Sequence, residues 1–218
     1  MIRSMSTAWK SELASRARDI ALREAEAVRL LAEQLVQAGD ENLSDVVETL
    51  LSCEGHVLVT GAGTSRAVAQ RLAHLLSCSG TPALFISAAD GLHGGSGAVT
   101  PNDVVYIISK GGHSAEINEF AAIARLRGAR LVAQTESPDS PLAQMCDVVF
   151  EVRAKDDVDP FGMVATGSSL VNAAAGDVLC VLLLEVRGYT RDQFGKTHPG
   201  GAVGKKLDEG QNSNRRMA

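Results

Sequence analysis

From residue 56 onward, short apolar runs alternate with amphipathic helical patterns. This alternation constrains the fold more than any other feature of the chain. The spacing predicts strands over 56–60, 83–86, 103–109, 130–134 and 147–152, with helices over 65–79 and 114–127 between them. Runs rich in Val, Ile and Leu, without polar alternation, suit strands buried on both faces of a parallel sheet. Strand–helix repetition of this kind predicts an α/β doubly wound fold. Ligands in such sheets bind at the carboxyl ends of the strands.

Helices flank this core. Residues 7–37 read as one long helix, because Leu13, Ala17, Ile20, Ala21, Glu24, Ala27, Val28, Leu31 and Leu35 follow three-and-four spacing. Gly39 and Asp40 stop it, and a second helix over about 43–53 leads into the core. A nearly all-apolar helix over 168–187 is expected to be central and buried, followed by a short helix over 191–194. The expected organisation is a helical arm over 1–40, one α/β domain over 41–208, and a polar, disordered tail over 209–218. The arm's apolar stripe needs a cover, which a partner subunit would supply.

Composition excludes several classes. Net charge is −5 and aromatic residues are only 4%, so neither phosphate-backbone binding nor base stacking is expected, and no nucleic-acid partner is called. No apolar stretch is read as reaching the ~20 residues of a membrane span, and the N-terminus shows no apolar signal core. Cys53, Cys78, Cys146 and Cys180 lack metal-type spacing and sit in apolar surroundings, so they read as reduced core thiols of a cytosolic protein.

Two strand-to-helix loops carry the chemistry. The first, GAGTS at 61–65, and the second, SKGGHS at 109–114, each combine glycines with hydroxyls just before a helix. A helix N-terminus offers unpaired N–H groups and the positive end of a dipole, which favour an anion. Glycine lets backbone approach a ligand, and Ser65, Ser109 and Ser114 add hydroxyl donors. A phosphorylated small molecule fits both loops. A dinucleotide does not: the third fingerprint glycine would fall at Arg66, no acid closes strand two, and no GKT or GKS is present.

Several side chains could act as acids or bases. His198 stands in the rigid turn THPGG at 197–201, and imidazole titrates near neutral pH. His93 lies among glycines past strand two, and His113 lies inside the second loop. His56 and His74 read as structural. Glu116, in the first turn after Ser114, either offsets the helix dipole or faces the ligand carbons beside a phosphate. Asp156, Asp157 and Asp159 cluster before a Pro-Phe-Gly turn, but nothing completes a metal site, so no metal is expected.

These segments resemble the SIS (sugar isomerase) domain, in its KpsF/GutQ arabinose-5-phosphate isomerase-like branch. The matching stretches are VTGAGTS at 59–65, SGTP at 79–82, HG at 93–94, VTPNDVV at 99–105, the loop at 109–114 and THPGGAVG at 197–204. The likeness runs from about Glu24 to Leu207. It implies a flavodoxin-like three-layer α/β/α sandwich with a five-stranded parallel sheet, a sugar-phosphate substrate, no cofactor, and a homotetramer with sites shared between subunits. By position it implies substrate contacts at Gly63, Thr64, Ser65, Ser109, Lys110, Gly112, His113 and Ser114. It implies catalytic groups at His198, Glu116, His93 and Asp157, with Asp156 the alternative to the last.

The chain also departs from the branch. Thr64 stands where a lysine is usual, Gly111 replaces a serine, and an aspartate replaces the glutamate before the Pro-Phe-Gly turn. The paired CBS domains of many relatives are not expected. The resemblance implies an aldose–ketose isomerase working through a cis-enediol. Its rivals are a non-catalytic phosphosugar sensor and a lyase or etherase acting on a phosphorylated amino sugar.

Overall fold

The computed structural model describes residues 6–154 and 159–200. The expected tail, Asp156 and Asp157 lie outside those described residues. Five strands form one parallel sheet in the order β2-β1-β3-β4-β5. They are β1 (Val57–Gly61), β2 (Ala83–Phe85), β3 (Val104–Ile108), β4 (Arg130–Thr135) and β5 (Val148–Glu151). Parallel neighbours need a crossover, and here each is helical: α2 (Thr64–Cys78), α3 (Ala88–Leu92), α4 (Ala115–Leu126) and α5 (Pro141–Met145). α1 (Thr7–Leu51) precedes the sheet, while α6 (Thr166–Val186) and α7 (Arg191–Thr197) follow it.

Side chains alternate across the sheet and build two cores. Val57, Val59, Tyr106 and Ile108 face one layer, formed by α1, α2 and α6. Leu58, Val105, Ile107 and Leu131 face the other, formed by α3, α4 and α5. Every residue of β1 and β3 is buried, as expected of central parallel strands. The result is a three-layer α/β/α sandwich.

A polar chain crosses the first core. Tyr106 Oη donates to Gln134 Oε1 at 2.6 Å, and Gln134 Nε2 donates to Asn172 Oδ1 at 2.7 Å. Asn172 Nδ2 donates in turn to Ser168 O at 2.8 Å. Burial pushes the Tyr106 phenol well above its ordinary pKa, so it stays a donor. Each buried amide of this chain is therefore satisfied, and the first turns of α6 are fixed to β3 and β4.

Where the structure differs from the sequence reading, the reasons are local. The two expected N-terminal helices run on as one 45-residue element that kinks at Gly39, whose φ of 80° and ψ of 165° are not helical. α3, α5 and the 3-10 turn Gly95–Ala98 span only four or five residues each, too short to show helical periodicity. The arm is divided in its environment. Ala27, Leu31, Val46 and Leu50 are buried in the core, whereas Trp9, Leu13, Ile20 and Leu22 are exposed. α6 is buried along one stripe only, with Leu170, Val181 and Val186 exposed. By length and composition it is apolar enough to cross a bilayer, which corrects the expectation that no stretch qualifies. It packs on α1 and α2 as the central helix of its layer.

The cysteine reading also needs correction. Cys180 is buried, but Cys53, Cys78 and Cys146 are half-buried. Burial pushes the Cys146 thiol up to about 12 and raises Cys53 and Cys180 as well. Cys78 has a different setting, described below.

Candidate functional site

The order β2-β1-β3 places the topological switch point between β1 and β3. The chain leaves β1 in one direction and β3 in the other, so a crevice opens at their carboxyl ends. Both hydroxyl-rich loops stand there. Ala62, Ser65, Ser109, Lys110, Gly112, His113 and Ser114 line a cleft of about 370 Å³.

The cleft's second loop is pinned from below. Lys110 O accepts from Glu136 N at 3.0 Å and Thr135 Oγ1 at 2.8 Å. Gly112 O accepts from Leu142 N at 3.3 Å and Asn118 Nδ2 at 3.2 Å. The loop's carbonyls are thus held by β4, α4 and α5, which fixes the loop before any ligand arrives. Gly112 is required at its position. Its φ is +66°, and a Cβ there would collide with Ser140 Oγ. Ser140 is buried and caps α5 through Ala143 N at 3.3 Å. Its role was missed from sequence, although Ser140-Pro141 is a readable helix-start pair.

Ser114 is the N-cap of α4, yet its side chain makes no capping bond. Ser6, Ser87 and Ser140 all cap their helices through their hydroxyls. α4 therefore presents its first-turn N–H groups without a side-chain cap, at the edge of the cleft. The site thus combines a helix N-terminus, fixed backbone and three hydroxyl groups. Such a set is chemically suited to an anion, and in particular to a phosphate with its several acceptor oxygens.

The remaining expected residues are more scattered. Gly63 is the N-cap residue of α2, with φ 55°. Thr64 lines a separate groove of about 430 Å³ with Val28, Arg71, Leu170 and Asp177. His113 and Lys110 flank the cleft, one exposed and the other half-buried. Glu116 is exposed in the first turn of α4. His93 is exposed at the C-cap of α3, a helix seated on α4 because Gly91 lies against the Phe120 ring. Asp157 is outside the described residues. Asp159, the third loop aspartate, accepts from Phe161 N, Met163 N and Val164 N, each at 2.9 Å, which folds the Pro-Phe-Gly turn around it. Among the described residues no cluster of His, Cys, Asp or Glu could hold a metal.

His198 is not beside Glu116. It follows α7, next to the segment that enters β2, and so lies at the amino-end side of the sheet. The ring stacks on Phe194 with centroids 3.8 Å apart and 9° between planes. Nδ1 is 3.0 Å from Phe194 O, and Nε2 is 3.3 Å from Cys78 Sγ. Gly80 sets this corner: its φ is +87°, and a Cβ there would collide with the Tyr189 ring that leads into α7. Arg187 reinforces it by donating to Thr81 Oγ1 at 3.0 Å and Leu50 O at 3.2 Å.

The model of the SIS domain family matches residues 50–182, more than half of the chain. The chain belongs to the SIS domain family. Among curated SIS relatives, the arabinose 5-phosphate isomerase KdsD of Pseudomonas aeruginosa is 36% identical over 173 residues, covering 79% of this chain and 53% of that protein. KdsD of Escherichia coli K12 is 35% identical over 174 residues, covering 80% and 53%. The chain spans about half the length of these curated relatives. An E. coli CFT073 protein solved in complex with arabinose 5-phosphate superposes with a TM-score of 0.81 at 31% identity, covering 89% of this chain and all of that one. A Listeria monocytogenes protein described as a candidate sugar-phosphate isomerase gives a TM-score of 0.83 at 32% identity, covering 90% and 100%. The SIS fold of this chain thus rests on sequence and backbone alike.

Proposed function

We propose that this SIS domain is an aldose–ketose isomerase acting on a sugar phosphate. The observation that carries the reading is the switch-point cleft, where Ser65, Ser109 and Ser114 surround the open N-terminus of α4. The phosphate binds there, which brings the sugar carbons alongside Glu116 in the first turn of the same helix. Isomerisation moves one proton between C1 and C2 through a cis-enediol. Glu116 and His198 form the acid/base core: one carries the carbon-bound proton while the other serves ring opening and the hydroxyl protons. His93 and Asp157 are the further groups assigned to the site. KdsD similarity and the arabinose 5-phosphate complex of a relative support a phosphopentose as the first substrate to test.

His198 stands away from its own cleft, so the reading requires a second copy of the chain. In the assembly, His198 of one subunit completes the cleft of another. The exposed apolar faces of α1 and α6, with Ile20, Leu22, Leu170 and Val181, supply surfaces for such an assembly. A homotetramer with shared sites fits this arrangement.

The test is direct. Purified protein is incubated with pentose, hexose and heptose phosphates and with the free sugars, and the aldose–ketose ratio is followed. Turnover of a phosphorylated sugar but not of its free form is the expected result. Binding without turnover across the panel would replace the isomerase with a sensor.

A further inference from the structure

The histidine corner holds a second reactive side chain. His74 and Cys78 lie one turn apart on α2 and so share a face. Cys78 Sγ is 3.5 Å from His74 Nε2 and 3.3 Å from His198 Nε2, the latter contributed from 120 residues further along the chain. The sulfur therefore sits between two imidazoles.

Hydrogen-bond polarity orders the protons. His198 Nδ1 is 3.0 Å from Phe194 O, and a carbonyl can only accept. Nδ1 must carry the proton of the neutral ring. Nε2 then presents a lone pair, and its neighbour, the Cys78 S–H, is the donor. His74 Nε2–H can donate to the same sulfur from the other side. Thr197 Oγ1, also 3.0 Å from Nδ1, further orients the ring. The three contacts and the Phe194 stack thus fix both the plane and the tautomer of His198. A thiol is a weak donor, so a substrate hydroxyl can replace it on Nε2 at little cost.

We propose that Cys78 is a positioning residue for His198, and that covalent modification of this thiol by a soft electrophile disables the imidazole. The effect on turnover rests on the isomerase reading; the effect on the imidazole does not. With an activated alkene such as a maleimide, an S–C bond forms and the C=C π pair moves to the adjacent carbon. The thiol proton leaves to His198 Nε2, and the imidazolium or water returns one proton to that carbon. The thioether has no S–H, so Nε2 loses its donor. The added group also occupies the space between α2 and α7. Burial pushes the Cys53, Cys146 and Cys180 thiols above the ordinary cysteine value, which makes them poor nucleophiles for the reagent.

The test compares wild type, Cys78→Ser and Cys78→Ala with and without N-ethylmaleimide, with the labelled site found by mass spectrometry. Expected are loss of wild-type turnover in step with labelling at Cys78 and resistance of Cys78→Ser. Cys78→Ser should retain turnover within about threefold, because a hydroxyl restores the donor. Cys78→Ala should lower kcat by about three- to tenfold, leave KM unchanged and shift the pH–rate profile. Full activity after stoichiometric labelling at Cys78, or an unchanged pH profile in Cys78→Ala, would overturn the proposal. Nitrogen-15 NMR of the histidine side chains gives a readout independent of catalysis. The His198 signals should report the Nδ1–H tautomer in wild type and move in Cys78→Ala. If no sugar phosphate is turned over but these signals move, the isomerase reading fails and the positioning role stands. Signals unchanged by Cys78→Ala would remove the positioning role whatever the activity.

Discussion

The cleft and the His198 corner lie at opposite ends of one sheet, and they are built in opposite ways. In the cleft, the backbone is pinned from behind by Thr135, Glu136 and Leu142, while the Ser114 hydroxyl makes no cap bond. In the corner the side chain itself is held: His198 has partners at both ring nitrogens and on one face. The cleft fixes its backbone and leaves the N-terminus of α4 without a side-chain cap. The corner fixes an imidazole in plane and tautomer, away from its own cleft. On the proposed function, the two members of the acid/base pair, Glu116 and His198, are separated within one chain, and assembly reunites them.

The two ends can be broken separately. The largest effect is expected from Glu116→Gln and His198→Ala, each reducing turnover by about a hundredfold or more while the protein stays folded. A mutant with unchanged kcat removes its residue from the mechanism. Next come the two glycines. Gly112→Ala should cost about 1–3 kcal/mol of stability and weaken sugar-phosphate binding. Gly80→Ala should cost a similar amount, about 1–3 kcal/mol, but lower kcat while leaving binding intact. Denaturant titration beside calorimetric binding separates the two; equal binding losses in both would erase the distinction between the ends. Ser109→Ala should weaken binding by about 1–2 kcal/mol through loss of a donor to a charged ligand. Unchanged affinity for the phosphorylated ligand counts against the anion assignment.

The smallest effect lies outside both the cleft and the corner and sets a baseline for them. Burial alone would raise the Asp103 carboxyl, but His56 N at 2.7 Å, Thr100 Oγ1 at 2.8 Å and Thr100 N at 2.7 Å outweigh it and hold it below its ordinary value. A carboxyl depressed in the folded state stabilises above its unfolded pKa, and that contribution is lost as pH falls through the lower folded value. The melting temperature should therefore decline below about pH 4, and Asp103→Asn should flatten that decline. An acid limb identical in the variant would exclude this carboxylate as its source.

The cleft was legible in the sequence because its signals are local. Ser109, Gly112 and Ser114 sit at a strand–helix junction, where residue type and position together predict uncapped N–H groups. The two-faced core followed from β-branched runs, whereas Gly39, read as a helix stop, only kinks α1. The corner was legible only as an isolated motif. Nothing in THPGG at 197–201 announces that His198 meets Cys78, because that contact depends on Tyr189 seating against Gly80. Cys78 therefore read as a core thiol. Thr64 read as part of the cleft because its neighbours are, but the first turn of α2 directs it to the groove beside α6. The half-exposed α6 was misread for a related reason: an apolar sequence does not reveal which surface covers it.

The most direct test of a shared site is complementation between the two inactive variants. Glu116→Gln and His198→Ala are co-expressed with different affinity tags, and the doubly tagged assembly is purified and assayed with a sugar phosphate that the wild type turns over. If one subunit's His198 completes another's cleft, a His198→Ala cleft beside a Glu116→Gln subunit has both groups, and activity returns well above either variant alone. If both groups act within one chain, the mixed assembly remains as inactive as its parts, and the shared site of Glu116 and His198 fails.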